Sequence, residues 1–221
     1  MNISVRDLKL SINNIKILKG ISFTIPDSGF TSVIGPNGSG KSSILRIISK
    51  DIDAYSGFVT DIAHGDMTYL PQDIAPPSFL SVTDIVCLGF YERGLTNCEK
   101  KIAVEKLLDS CGIAHIKHHT FTDISAGEMQ RAWLAFALAQ AKELILMDEP
   151  LAAIDIPARR SFFELLRSVV DEGKTLVLVA HDIGLVREFC DRLIFLQHGQ
   201  KRFEGSPADF ELPLHWRGLS V

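Results

Sequence analysis

Gly35-Pro36-Asn37-Gly38-Ser39-Gly40-Lys41-Ser42 fits the pattern G-x-x-x-x-G-K-[ST], and the residue types explain what such a pattern can do. A polyphosphate is a multiply charged anion, and holding one takes several N–H donors, a cation and a helix N-terminus. Gly35, Gly38 and Gly40 let the backbone come close, with Pro36, Asn37 and Ser39 completing the turn. Lys41 can reach the β- and γ-phosphates, and Ser42, followed by Ser43, can offer a hydroxyl to Mg²⁺. A second segment, Leu144-Ile145-Leu146-Met147-Asp148-Glu149-Pro150, is an apolar run ending in two acids. Such a strand delivers Asp148 to its C-terminal end, where a carboxylate holds Mg²⁺ directly or through water, while Glu149 points at a different locus. In a third segment, Ile124-Ser125-Ala126-Gly127-Glu128-Met129-Gln130-Arg131, the Ser125-x-x-Glu128 spacing is that of a capping box opening a helix.

The elements that must position these groups are legible around them. Leu8, Leu10 and Ile12 alternate, as do Ile21, Phe23 and Ile25, which predicts half-buried strands with turns at Asn13-Asn14 and Pro26-Asp27-Ser28-Gly29. Phe30 to Ile34 predicts a strand running into the glycine loop, and Ile44, Leu45, Ile47 and Ile48 predict the helix after it. Strand, loop and helix in that order favour a phosphate site over a bare turn. From about Asp73 to Thr122 the chain changes character, with helical spacing at Ile85 and Leu88, then Ile102, Leu107 and Leu108. Met129, Trp133 and Phe136 are expected to face a core. Beyond, the run at 144–147 predicts a strand covered on both faces. A helix from Pro157 to about Glu172 stopped by Gly173, a strand from Thr175 to Ala180, a helix from Ile183 to Cys190 and a strand from Leu193 to Leu196 follow. Alternating strands and helices imply an α/β fold with a mostly parallel sheet.

In this order the segments resemble the ATP-binding cassette family, over essentially all 221 residues. The resemblance implies a P-loop NTPase (RecA-like) core with an N-terminal antiparallel β subdomain, spanning 1–72 and 137–221, and an inserted helical subdomain at 73–136. It implies ATP and Mg²⁺ as ligands, with Glu149 polarising the attacking water, Gln72 in the Q-loop sensing Mg²⁺ and that water, and His181 contacting the γ-phosphate. It makes Ser125, Ala126, Gly127 and Glu128 the counterpart of the signature peptide L-S-G-G-Q and Asp155 the aspartate that crosses a dimer interface. Two copies would then sandwich ATP in a homodimer. Two departures stand out: Ala126 replaces the usual glycine, and Ile12 falls where relatives carry an adenine-stacking aromatic, so base recognition is expected to be weak. Gln130-Arg131-Ala132-Trp133-Leu134-Ala135 looks most like importers of metals, haem, cobalamin or iron chelates. Partners so implied are integral membrane permease subunits and a substrate-binding protein. A groove near the Q-loop is expected to receive a short cytoplasmic helix of the permease, around Ile74, Pro76, Pro77, Phe79, Leu80 and Phe90.

Composition narrows the alternatives. A hydrophobic fraction of 46% supports a sizeable core, and a net charge of −4 argues against a nucleic-acid surface. The longest apolar run, 132–139, is far short of the ~20 residues a bilayer needs, and the start lacks a signal-like stretch. A cytoplasmic protein held peripherally at the membrane by permease subunits is therefore expected. The sequence runs only a few residues past Trp216, so the extra C-terminal domain of some sugar and methionine importers is not expected. Cys87, Cys98, Cys111 and Cys190 have no C-x-x-C spacing and read as reduced thiols. His115-Ile116-Lys117-His118-His119 reads as a solvated loop rather than a metal site, for want of a companion ligand. The competing functions are an exporter ATPase, which shares every motif, and a DNA- or ribosome-directed cassette protein, which would carry a coiled-coil insertion or a second cassette. A regulatory module without turnover is disfavoured by Glu149 and His181.

Overall fold

The computed structural model describes residues 2–72, 74–75, 77–151 and 156–211. Along the chain run β1 (Ile3–Ile12), β2 (Ile15–Ile25), β3 (Phe30–Ile34), α1 (Lys41–Ile48), β4 (Ser56–Val59) and β5 (Met67–Leu70). Three helices follow, α2 (Val82–Gly89), α3 (Asn97–Ser110) and α4 (Ala126–Ala139). The chain then alternates through β6 (Leu144–Asp148), α5 (Ile156–Asp171), β7 (Thr175–Val179), α6 (Ile183–Phe189), β8 (Arg192–Gln197) and β9 (Gln200–Gly205).

β1 and β2 form an antiparallel hairpin whose turn, Asn13 and Asn14, has φ of 49° and 65°. Asparagine tolerates this left-handed geometry, and the primed turn it makes matches strand twist. Ile3, Val5, Leu8 and Leu10 of β1 point inward, while Ile12, paired with Ile15 across the turn, stays exposed. β4 adds to the other edge, giving the order β2-β1-β4. The larger sheet runs β5-β6-β7-β3-β8-β9, parallel except for the β8–β9 hairpin.

Both faces of its inner strands are buried. Ile145 and Met147 of β6, with Leu176 and Leu178 of β7, face one apolar cluster built with α4 and α5. Leu144, Leu146, Val177 and Val179 face a second, filled by α1 and the hairpin. Each large side chain so buried contributes about 1.5–3 kcal/mol, which is why these runs carry no polar alternation. β4 and β9 went unread in the sequence. Both are edge strands with mostly partly or fully exposed residues, so neither shows an apolar signal.

The helical stretch departs from its expected spacing. Ile85 and Leu108 are buried as predicted, but Leu88 and Ile102 are exposed. α2 buries Val82, Ile85, Val86 and Gly89, and Leu88 falls outside that stripe. α3 buries only the narrow stripe of Val104 and Leu108. Each of α2, α3 and α4 starts with a complete capping box, made by Ser81 with Asp84, Thr96 with Glu99, and Ser125 with Glu128.

The crossing of α2 over α4 leaves no room for a Cβ at Gly89: one placed there would lie 2.6 Å from both Phe136 O and Ala139 Cβ. Gly89→Ala must push the helices apart, at an expected cost of about 1–3 kcal/mol. A urea midpoint lowered with unchanged slope checks this, and an unchanged midpoint would show that the crossing yields freely.

Candidate active site

The carboxyl ends of four neighbouring strands meet here. In spatial order β5, β6, β7 and β3 are adjacent, and the chain leaving them carries Gln72, Glu149, His181 and the glycine loop. Register aligns them: Asp148 pairs with Val179, and Val179 with Val33. Open parallel sheets bind ligands at this edge because the loops converge there while the strands stay packed.

Glu149 is where the side chains meet. Its Oε1 lies 2.8 Å from His181 Nε2 and 3.4 Å from Lys41 Nζ. Gln72 Nε2 donates to Oε2 at 3.2 Å. The backbone of Glu149 is left-handed, with φ of 49°, a conformation a glutamate holds only where its surroundings impose it. Lys41, 4% exposed, also donates to Gly35 O at 3.0 Å and Pro36 O at 3.3 Å. Ser42 Oγ donates to Asp148 Oδ1 at 3.1 Å. Burial, chiefly, pushes the Asp148 carboxyl above its usual value; the Ser42 hydrogen bond opposes this and the Glu149 charge adds to it. Burial and the Asp148 charge likewise raise the Tyr69 phenol.

A cavity of about 360 Å³ opens over the loop, lined by Ile17, Asn37, Gly38, Gly40, Lys41, Ser42, Ser43, Gln72 and Glu149. It suits a nucleotide polyphosphate. The N-cap of α1 is Gly40, at φ 102° and with no side chain to satisfy the first-turn N–H groups, and that turn holds no acid. Those donors stay open to an anion. A Cβ on Gly38 would meet nothing within 4 Å, so the loop faces open space there. The donor set also suits Mg²⁺: the Ser42 hydroxyl, the Asp148 carboxylate and the Gln72 amide oxygen, left over once Nε2 donates to Glu149, are hard oxygen ligands.

The structure thus brings together the loop, Gln72, Asp148, Glu149 and His181. It does not bring in 125–128, none of which lines that cavity. There the Ser125 side chain accepts from Glu128 N–H while Glu128 returns to Ser125, at the start of α4. Asp155 lies outside the described residues. Ile17 lines the cavity and was missed, since a β2 side chain gives no local sign that a loop 20 residues on will pack beside it. Ile12 is not among the lining residues. Arg159 was missed as well; with Glu149, Leu151, His181 and Asp182 it lines a neighbouring cavity of about 230 Å³. His115, read as part of an idle loop, contacts Glu128.

Of the apolar residues near the Q-loop, Phe90 is core, and Ile74 and Leu80 pack against it. Phe79 is 82% exposed. Pro76 lies outside the described residues. Among the described residues no group of three or more His, Cys, Asp or Glu could hold a metal, and no helix is long and apolar enough to cross a membrane.

Comparison with known proteins gives a consistent picture. A family model described as ABC transporter matches residues 18–152. The probable metal transport system ATP-binding protein of Thermotoga maritima is 34% identical over 200 residues, covering 88% of this chain and 80% of that one. The iron(3+)-hydroxamate import ATP-binding protein FhuC of Bacillus subtilis is 31% identical, covering 96% and 85%. Among solved structures, cbiO1 from Clostridium perfringens, part of the ABC transporter complex cbiONQ, superposes with a TM-score of 0.85 at 25% identity over 94% of this chain and 89% of that one.

The buried acid beside Ser42 has a cost that can be measured. Asp148 is 3% exposed and its folded-state value is raised, so ionising it at neutral pH penalises the folded protein. Asp148→Asn keeps an acceptor for Ser42 and removes the charge. Without nucleotide and with a chelator present, its melting temperature should rise by about 2–4 °C, the shift expected for about 1 kcal/mol in a chain of this size. A fall would show that attraction to Lys41 outweighs the burial cost.

Proposed function

The chain belongs to the ABC transporter family as an ATP-binding subunit that hydrolyses ATP, and from that premise we propose that two copies close on two ATP molecules to drive import of a metal or metal chelate. The observation that carries the catalytic part is the convergence of Lys41, Gln72 and His181 on Glu149. These groups come from separate strand ends, and together they fix the carboxylate in direction. A carboxylate so held can orient a water and take its proton while the γ-phosphoryl bond breaks. Lys41 exchanges its contact with the loop carbonyls for phosphate oxygens, and the α1 N–H groups take the rest of the charge. Asp148, Ser42 and Gln72 would hold the metal. Mg²⁺, when bound, neutralises phosphate charge. His181 donates towards the γ-phosphate once Glu149 engages water.

In this reading Ser125, Ala126, Gly127, Glu128 and Asp155 complete the partner copy's site. Ala126 adds a methyl to the closing surface. The cargo assignment is supported by the names of the relatives, which handle metals and iron(3+)-hydroxamate. The protein would then work in the cytoplasm, held at the membrane by permease subunits and served by a substrate-binding protein. The exposed Phe79, a few residues from Gln72, is the apolar group we assign to permease docking. Closure at Gln72 can then move whatever is seated there. In this reading 73–136 behaves as the helical subdomain.

Glu149→Gln should bind ATP, slow hydrolysis by about 10²-fold or more, the scale of losing a general base, and accumulate an ATP-bound dimer. Near-normal turnover would sink the assignment. Phe79→Asp should leave hydrolysis by the isolated subunit intact and abolish co-purification with the permease. Since Phe79 is exposed, the variant is expected to fold, and intact transport would refute docking at this site.

A further inference from the structure

Glu128 puts a negative charge at a helix start where the two-copy reading places a neighbour's triphosphate, and this inference rests on that reading. Both oxygens of the carboxylate are engaged. Oε2 accepts from Ser125 N–H at 2.9 Å and from Ser125 Oγ at 2.7 Å, and Oε1 contacts His115 Nε2 at 3.0 Å. An ionised carboxylate only accepts, so the imidazole nitrogen is the donor whether the ring is neutral or charged. The Ser125 hydroxyl first, then its N–H, hold the Glu128 carboxyl below the usual range, with His115 adding to the effect. Glu128 is therefore a persistent anion. An anion at N3 offsets the partial positive charge with which α4 would attract phosphate. It also claims the hydroxyl proton of Ser125.

His115 reaches this carboxylate from a short 3₁₀ turn, 114–116, and its side chain is otherwise well exposed. The nearby cations are engaged elsewhere: Lys117 pairs with Glu105 at 2.8 Å, and Arg131 donates to Cys111 O at 3.2 Å and to Ser161 Oγ. A neutral glutamine at 128, as in the common form of the peptide, would need no such partner.

We propose that His115 is a positioning residue for ATP-driven closure: by donating to Glu128 Oε1 it steers the carboxylate and takes up one of its acceptor sites, so that the start of α4 can receive a triphosphate. Its role exists because residue 128 is acidic.

The test is a pairwise series on the full chain, measuring ATP hydrolysis against ATP concentration and ATP-dependent dimerisation by light scattering. His115→Ala should raise the KM for ATP about three- to tenfold, the scale of one net hydrogen bond to a carboxylate, while kcat changes less than about twofold. His115→Gln keeps an N–H donor and should restore KM to within about twofold. In a Glu128→Gln background, His115→Ala should no longer matter. An unchanged KM in His115→Ala, or an equal rise in both backgrounds, overturns the inference. Should the unmutated chain and Glu149→Gln both stay monomeric with ATP, the two-copy reading fails and takes the inference with it; a dimer that forms regardless of residue 115 overturns the inference alone.

Discussion

An ammonium and two carboxylates share a small volume at the carboxyl edge of the sheet, and the architecture around them is what lets that happen. Lys41 and Glu149 are 4% and 14% exposed at their side chains, and Asp148 is buried beside them. Taking such charges out of water costs several kcal/mol each unless partners replace the hydration. Here the replacements are main-chain carbonyls of the loop, the Gln72 amide, the Ser42 hydroxyl and the His181 ring. None comes from the same turn as Glu149. The arrangement therefore holds only while four strands keep their register, and that register is enforced by apolar side chains on both faces of the sheet. The charged site and the apolar core stand or fall together.

The same dependence explains how ligand chemistry couples to distant parts of the chain. Gln72 lies two residues past the end of β5 and precedes the segment bearing Phe79, while Lys41 begins the helix that fills the second apolar cluster. Lys41 and Gln72 are both committed to Glu149. A polyphosphate must take Lys41 from its present partners, so binding is an exchange of contacts rather than the filling of an idle hole. That exchange gives ATP a differential interaction with two arrangements of the site, which any population shift requires.

Much of this was legible because the chemistry is written locally. The glycine loop, the apolar run ending in Asp148 and Glu149, and the Ser125 capping box each need only a few adjacent residues, and the structure has each as read. Gln72 and His181 were legible through their places after strands. What escaped was long-range or unpatterned. Ile17 enters the cavity from a strand of the other sheet, and β9 shows its neighbours mostly polar residues. The left-handed Glu149 has no sequence signature at all. Leu88 and Ile102 misled because spacing finds an apolar face but not whether anything covers it.

The three helices between β5 and β6 share one device. Each begins on a hydroxyl residue answered three positions later by an acid: Asp84, Glu99 and Glu128. Hydrogen bonds from the capping residue, its hydroxyl first, hold all three carboxyls below their usual range. A depressed folded-state value means that the stabilisation is present above the unfolded value and is lost as pH falls through the folded one. In the large sheet the inner strands carry a single carboxyl, Asp148, whose value is raised, and the one held low, Glu204, sits on the edge strand β9. Acidification should accordingly fray this helical stretch from its three starting points while the strands persist, making it the acid-labile part of an otherwise apolar assembly.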